Sequence, residues 1–275
     1  MARAKKSLGQ NFLVDATHQK RIVAALEAGP DDEVLEIGPG RGALTRHLIG
    51  AVGRLVLIEL DDDLAARWQD ELAGDPDVSV IHRNALSVDL DAVVRDPASL
   101  RVVGNIPYNI TTPLLFWLLD RPVRPAVIVL MIQREVADRI LAPPGDKQFG
   151  ALSVGVRAVA LVERILQVPR GAFRPVPDVD STVIRITPFR PAPLDAAEAA
   201  DLRELTRVAF GWRRKQLQKI LRSSPEYGLQ ADAVESVLAE VGVAADARPE
   251  TLAPDTFIAL ARALRRHGLP RRAAA

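Results

Sequence analysis

Glu33-Val-Leu-Glu-Ile-Gly-Pro-Gly-Arg-Gly42 decides the fold. Five residues suited to a buried strand run straight into three glycines at alternate positions, and a helical pattern follows from Ala43. Strands covered on both faces read as near-continuous apolar runs, as a parallel sheet requires. Glycines at such a turn let the chain reverse sharply and bring its backbone close to a ligand. Working outward, further short apolar runs cover residues 54–59, 78–81, 101–104 and 126–132, and all are expected to be buried strands. Helical spacing fills the gaps at 43–49, 63–72, 113–119 and 135–141. Strand and helix in alternation predict an open, doubly wound, Rossmann-like α/β sheet. Two more runs, 158–166 and 182–187, are candidates for its antiparallel edge.

Composition changes after Pro188. The segment Phe189-Arg-Pro-Ala-Pro-Leu194 reads as a linker, and helical patterns at 196–210, 213–221, 231–241 and 255–267 follow it. The expected organisation is a domain over residues 1–190 and a smaller all-helical domain over 191–275. With 48% hydrophobic and 26% charged residues, the 275-residue chain has the make-up of a folded globular protein rather than a disordered one. It has no cysteine, which excludes disulfides, thiolate metal sites and cysteine nucleophiles. His18, His47, His82 and His267 are scattered without ligand spacing, so no metal is expected. No apolar run reaches transmembrane length, and the basic start lacks a following apolar core. A cytoplasmic protein without membrane contact is the expectation.

The glycine loop is Gly-x-Gly-x-Gly, not the dinucleotide Gly-x-Gly-x-x-Gly, because position 43 is alanine. A nicotinamide cofactor brings a pyrophosphate. A methyl donor such as S-adenosylmethionine does not, and needs only backbone approach to its amino-acid end and ribose. Glu59 ends the second strand, 21 residues after Gly38, where an acid can accept hydrogen bonds from both ribose hydroxyls. A tight strand-to-helix turn without ligand would use the same glycines. Asn105-Ile106-Pro107-Tyr108 follows the fourth strand. An aromatic amine is a poor nucleophile because its lone pair is delocalised. It improves if both hydrogens are held by acceptors, which the Asn105 side chain and the Ile106 or Pro107 carbonyl can supply. Tyr108 offers a ring on which a base can stack.

The formal net charge is only +1, which argues against indiscriminate coating of nucleic acid. Positive charge is nevertheless clustered, at Arg3, Lys5 and Lys6, at Arg213, Arg214, Lys215, Lys219 and Arg222, and at Arg265, Arg266, Arg271 and Arg272. Arg213, Arg214 and Lys215 occupy consecutive positions and cannot all face one way, so one or two phosphate contacts are expected from them.

Ordered motifs run along nearly the whole chain. They include Lys6-Ser-Leu-Gly-Gln-Asn-Phe-Leu13, Glu36-Ile-Gly-Pro-Gly-Arg-Gly42 and Asn105-Ile-Pro-Tyr-Asn-Ile-Thr-Thr-Pro113. Gln133-Arg-Glu-Val-Ala-Asp-Arg139, Phe149-Gly-Ala-Leu-Ser-Val154, Phe173-Arg-Pro-Val-Pro-Asp-Val-Asp-Ser181, Arg213-Arg-Lys-Gln-Leu217 and Arg248-Pro-Glu-Thr-Leu252 continue the series. With these motifs the chain resembles the rRNA adenine N6-methyltransferase family, and most closely its bacterial branch acting on the small-subunit (16S) RNA. The resemblance implies an S-adenosylmethionine-dependent N6,N6-dimethylation of adenosines in the immature small ribosomal subunit, by a monomer. It implies that Asn11, Leu13, Gly38, Gly40, Glu59, Asn84 and Asn105 touch the donor. It also implies that Asn105, Pro107, Tyr108 and Phe173 handle the target base, with Phe173 closing opposite Tyr108. Read from the residues alone, Phe173 equally suits the core. Gly9 to Leu13 reads as a lid that orders on binding. The family usually carries aspartate where this chain has Asn84. A neutral acceptor forms weaker hydrogen bonds by roughly 1 kcal/mol, so weaker donor binding is expected. Family tyrosine and threonine are replaced by Phe149 and Gln216. Competing expectations are a large-subunit dimethyltransferase conferring antibiotic resistance, a chiefly non-catalytic ribosome-assembly factor, and a small-molecule methyltransferase, against which the basic helical domain speaks.

Overall fold

A computed structural model describes Lys5, residues 9–212 and residues 215–269, apart from the side chain of Asn109. Seven strands form one sheet: β2 (Glu33–Ile37), β3 (Arg54–Glu59), β4 (Val78–His82), β5 (Arg101–Asn105), β6 (Val127–Gln133), β7 (Ala160–Val168) and β9 (Ser181–Pro188). Their order is β4-β3-β2-β5-β6-β9-β7. The first five are mutually parallel, and β9 lies antiparallel to β6. Two short strands, β1 (Phe12–Leu13) and β8 (Phe173–Arg174), make a separate antiparallel pair.

The apolar runs explain the central strands. Every residue of β2 is buried, as are all of β3 after Arg54 and β6 up to Gln133. Strand β4 differs from the expectation. It is only half-buried, because it closes the edge of the sheet and has a neighbour on one side alone. The strand order reverses at β2: the chain steps outward through β3 and β4 on one side, then returns to lay β5 and β6 on the other. That switch point opens a crevice at the carboxyl ends of β2 and β5, where open α/β sheets hold their ligands.

Helices α1 (Ala16–Ala24), α2 (Thr45–Leu48), α3 (Asp62–Glu71), α4 (Leu90–Val93), α5 (Thr111–Leu119) and α6 (Arg134–Leu141) connect the strands. Asp61 starts α3 as its N-cap, accepting from the amides of Asp63 and Leu64, which satisfies two donors the helix leaves open. Among the described residues no helix is long and apolar enough to cross a membrane.

The described chain divides into two compact units, and a single cut near residue 190 does not describe the packing. One unit contains residues up to Ala137 together with Leu161–Pro188. The other contains Asp138–Ala160 and the chain from Phe189 onward. The second unit is helical apart from the start of β7: α7 (Ala151–Arg157), α8 (Ala196–Gly211), α9 (Leu217–Ser223), α10 (Ala231–Glu240) and α11 (Pro254–Arg266). Its core explains why 138–160 belongs there. Phe149 meets Phe210 edge-on at 5.9 Å, and Phe210 meets Phe257 at 5.7 Å, so an aromatic stack ties the early segment to α8 and α11. A reciprocal cap between Asp195 and Glu198 starts α8 where the prolines end.

Candidate active site

A cavity of about 570 Å³ lies at the switch point. Its floor is the glycine loop after β2. Gly38, Gly40 and Gly42 have φ of +70°, +55° and +90°, which side chains rarely adopt. At Gly42 there is a second reason: a Cβ there would sit 2.7 Å from Cη2 of Trp68. The Trp68 indole, fully buried in α3, also donates to the Gly40 carbonyl at 2.9 Å. The loop is therefore moulded on Trp68, a residue the sequence motifs did not single out.

Glu59 is buried and faces this loop. Its Oε2 accepts from Gly40 N at 3.0 Å, and Oε1 accepts from the amides of Leu60 and Asp61 at 2.8 and 2.9 Å. Three amides fix the carboxylate while Oε2 keeps room for another donor. Glu36 lines the same cavity, fully buried, with Oε2 lacking a partner among the described residues. Burial pushes its carboxyl up to about 8, reinforced by the Glu59 charge, while Thr45 acts the other way. An orphaned buried oxygen beside glycines and a fixed acid fits a group bearing an ammonium and vicinal hydroxyls. S-adenosylmethionine is such a group, and Gly38, Gly40 and Glu59 are the residues that would hold it.

The loop after β5 is set by Gly104 in that strand. A Cβ there would lie 2.8 Å from the Ile37 carbonyl, so only glycine lets β5 run flush against β2 and deliver Asn105 beside the glycine loop. Ile106 makes the last ladder bond, to Met131 at 3.1 Å, before Pro107 ends the strand. Asn105, Ile106, Pro107 and Tyr108 all line the cavity. The Asn105 Nδ2 donates to the Asn11 carbonyl at 2.9 Å. A carbonyl can only accept, so this bond fixes the amide's orientation and leaves Oδ1 as its acceptor. The Pro107 carbonyl is already committed to Ile110 N at 3.2 Å, which leaves Ile106 as the better-placed of the two backbone acceptors.

Tyr108 is half-buried and its hydroxyl meets the Ser181 hydroxyl at 3.3 Å. Burial, with Asp178 and Asp180 nearby, pushes that phenol above its ordinary value, so it stays neutral. Ser181 is the residue of the 173–181 motif that reaches Tyr108. Phe173 is not at the cavity. It is 1% exposed, pairs with Leu13 across β1 and β8, and belongs to the core cluster. The ring that the resemblance sets opposite Tyr108 is thus packed in the core beside the arm rather than in the cavity lining.

The N-terminal arm forms the other wall. Asn11 and Leu13 line the cavity, and Leu13 is buried. Phe12 packs on Gly40, whose Cβ would lie 3.1 Å from the ring, and the Arg41 guanidinium sits 4.3 Å from the ring centroid. Lys5 pairs with Asp61 and Asp63 at 3.0 and 2.9 Å, and Gln10 Nε2 donates to Asp61 at 2.9 Å. Although burial works against it, these partners hold the Asp61 carboxylate below its ordinary value. Asn84 also lines the cavity, with Oδ1 accepting from Leu86 N at 3.0 Å and one lone pair left over. Of the basic group, Arg213 and Arg214 lie outside the described residues, and Lys215 is exposed in the second unit. No group of metal-ligating side chains occurs among the described residues.

Comparison with known proteins adds what geometry alone does not. The family model for ribosomal RNA adenine dimethylase matches residues 1–262. The chain belongs to this family. A relative from Nitratidesulfovibrio vulgaris, named ribosomal RNA small subunit methyltransferase A, is 45% identical over 95% of this chain and 97% of its own. A protein of the same name from Geobacter sulfurreducens is 39% identical over 95% of each chain. The crystal structure of the 23S rRNA methyltransferase ErmE is similar at a TM-score of 0.69 and 29% identity, covering 93% of this chain and all of that one. A Plasmodium falciparum dimethyladenosine transferase shares the fold at a TM-score of 0.82, with 24% identity over 94% of this chain and 98% of that one. The Rossmann-like α/β fold and the methyltransferase class of the dimethylase family agree with the expectation from the motifs.

Proposed function

We propose that this protein transfers methyl groups from S-adenosylmethionine to the exocyclic amines of adenosines in small-subunit ribosomal RNA, giving N6,N6-dimethyladenosine. The observation that carries the reading is the Asn11–Asn105 bond, which presents an amide oxygen in a cavity built on a donor-type glycine loop. The small-subunit branch is favoured over the large-subunit one by the 45% identical relative spanning almost both whole chains.

Bound in this cavity, the donor supplies an electrophilic methyl group on a sulfonium. The protein's part is to make the amine reactive. Asn105 Oδ1 and the Ile106 carbonyl each take one amine hydrogen, which draws the nitrogen towards tetrahedral geometry and frees its lone pair. No strong base is needed, because the nitrogen becomes acidic once it carries a fourth substituent and its proton leaves to water. Tyr108 provides the face against which the base rests, its hydroxyl fixed by Ser181. The adenine must leave its stack to arrive there, as base-modifying enzymes require. A second round on the same nitrogen uses the remaining hydrogen. Asn11, Leu13, Gly38, Gly40, Glu59 and Asn84 are assigned to donor binding, and Arg213, Arg214 and Lys215 to RNA. The substrate is the immature small subunit in the cytoplasm, and the enzyme acts as a monomer whose first unit carries the catalysis and whose helical unit, residues 138–160 with the chain from Phe189, carries the RNA.

Purified protein given labelled donor and small subunits lacking dimethyladenine, beside large subunits and naked RNA, tests this. Dimethyladenine found by mass spectrometry in small-subunit RNA alone is the expected result. Methylation of large-subunit RNA moves the protein to the resistance branch. Tight small-subunit binding without methylation favours an assembly factor.

A further inference from the structure

In the second unit, four arginines of α8 and α11 are answered by acids. Arg207 pairs with Glu204 and Glu226 at 2.6 and 2.7 Å, Arg262 with Glu198 at 2.8 Å, Arg265 with Asp201 at 3.2 Å, and Arg266 with Glu240. Lys215, Lys219 and Arg222 break this pattern. Among the described residues none of them has a carboxylate partner. All three line one cavity of about 540 Å³, together with Trp212, Ser223 and Gln230.

Local structure explains the convergence. Trp212 caps the carboxyl end of α8, and Lys215 N donates to the Trp212 carbonyl at 2.7 Å, folding the chain back before α9 begins. Leu217, Ile220 and Leu221 are the buried face of α9, so Lys219 and Arg222, three positions apart, share its outer face. Leu229 N donates to the Leu221 carbonyl at 3.0 Å, which returns residues 228–230 against that helix as the far wall. The Trp212 side chain remains 40% exposed, whereas Trp68 is fully buried. A ring 40% exposed beside three cations without carboxylate partners leaves a face open to a ligand. Together they have the two chemistries that single-stranded nucleic acid requires: a ring for a base face and cations for its phosphates.

We infer that this cavity binds an unpaired nucleotide of the RNA substrate, with its base on the Trp212 indole and its flanking phosphates on Lys219 and Arg222. The inference rests on the RNA reading above and adds a second contact to it, separate from the donor cavity. Duplex RNA keeps its base faces inside the stack and offers only phosphates here, so single strands are preferred.

The full-length protein is titrated with a single-stranded oligoribonucleotide of about 12 nucleotides, a size within the usual range for such sites. The matching duplex and inorganic polyphosphate are titrated beside it. Trp212→Ala should weaken single-strand binding about tenfold or more while leaving polyphosphate binding unchanged, and Trp212→Phe should keep most of the affinity. Oligonucleotide binding should quench fluorescence in the wild type and not in Trp212→Phe. The double variant Lys219→Gln/Arg222→Gln should lower the salt dependence for single strands by about 1.4 on a log–log slope. Wild-type single-strand affinity in a folded Trp212→Ala protein, or equal preference for the duplex, overturns the inference. Methyl transfer to small subunits is followed in parallel. Trp212-dependent binding without any methyl transfer upholds this site and sinks the proposed activity, whereas methyl transfer without Trp212-dependent binding does the reverse.

Discussion

The Asn105 side chain donates to the Asn11 main-chain carbonyl at 2.9 Å, across 94 residues of sequence. The acceptor oxygen proposed to prepare the amine is thus oriented by the arm rather than by its own loop. Asn105→Ala should reduce methyl transfer by about two to three orders of magnitude, the usual cost of removing one positioned polar group at a reacting centre. Asn105→Asp should be comparably impaired, because a carboxylate cannot donate to Asn11 and instead faces its carbonyl oxygen. Rates on small subunits measure both, and wild-type turnover in either variant would refute the assignment.

Gly42→Ala should destabilise the first unit by about 2–3 kcal/mol. The added Cβ meets the Trp68 ring at 2.7 Å, and a φ of +90° strains any side chain. Urea unfolding gives the value. Donor affinity should fall with it, because Trp68 also holds the Gly40 carbonyl.

The buried Glu36 makes stability depend on pH. Its carboxyl is pushed up to about 8 by burial, against 4.5 as the ordinary value. Between these values the folded protein holds a proton that the unfolded chain has lost, so stability is full below about pH 4.5 and declines as pH rises to about 8. Denaturant midpoints across that window should drop with pH in the ligand-free protein. Glu36→Gln should flatten the slope, and an unchanged slope in that variant would count against the buried-acid account.

Asn84→Asp should tighten donor binding about fivefold, the equivalent of roughly 1 kcal/mol for a charged over a neutral acceptor. The turn is not at risk, since aspartate caps the Leu86 amide as asparagine does. Calorimetric titration with S-adenosylmethionine decides it, and an unchanged constant would show that residue 84 does not reach the donor.

Tyr227→Phe should leave stability unchanged or raise it by about 1 kcal/mol. The ring is 1% exposed, and its hydroxyl is buried without a hydrogen-bond partner among the described residues. Thermal unfolding of the pair is the check, with a clear loss pointing to a bound water that the hydroxyl serves.

The central strands were legible because they are apolar over most of their length, and the glycine loop, Glu59 and Asn105 stand out because each lies at the end of such a strand, where the fold gathers them round one cavity. What escaped the sequence is non-local. Phe173 reads as a site aromatic until its pairing with Leu13 is known, since nothing near it in the chain says which way a two-residue strand turns. Trp68 sits in a polar helix, and its role depends on glycines 26 and 28 positions earlier. Residues 138–160 read as part of the sheet domain because β6 precedes them and β7 follows. Only the stack of Phe149 on Phe210 and Phe257 reveals their other allegiance.

The pairing of β1 with β8 also fixes an order of events during synthesis. The arm emerges first, yet its strand partner at Phe173–Arg174 appears some 160 residues later. At roughly 5–20 residues per second, the nascent chain spends about ten seconds or more with Phe12 and Leu13 still seeking their neighbour. The arm therefore gains its strand partner only when most of the polypeptide has been made, so a chain truncated before residue 173 carries every glycine of the cradle and holds the arm through Asp61 and Asn105.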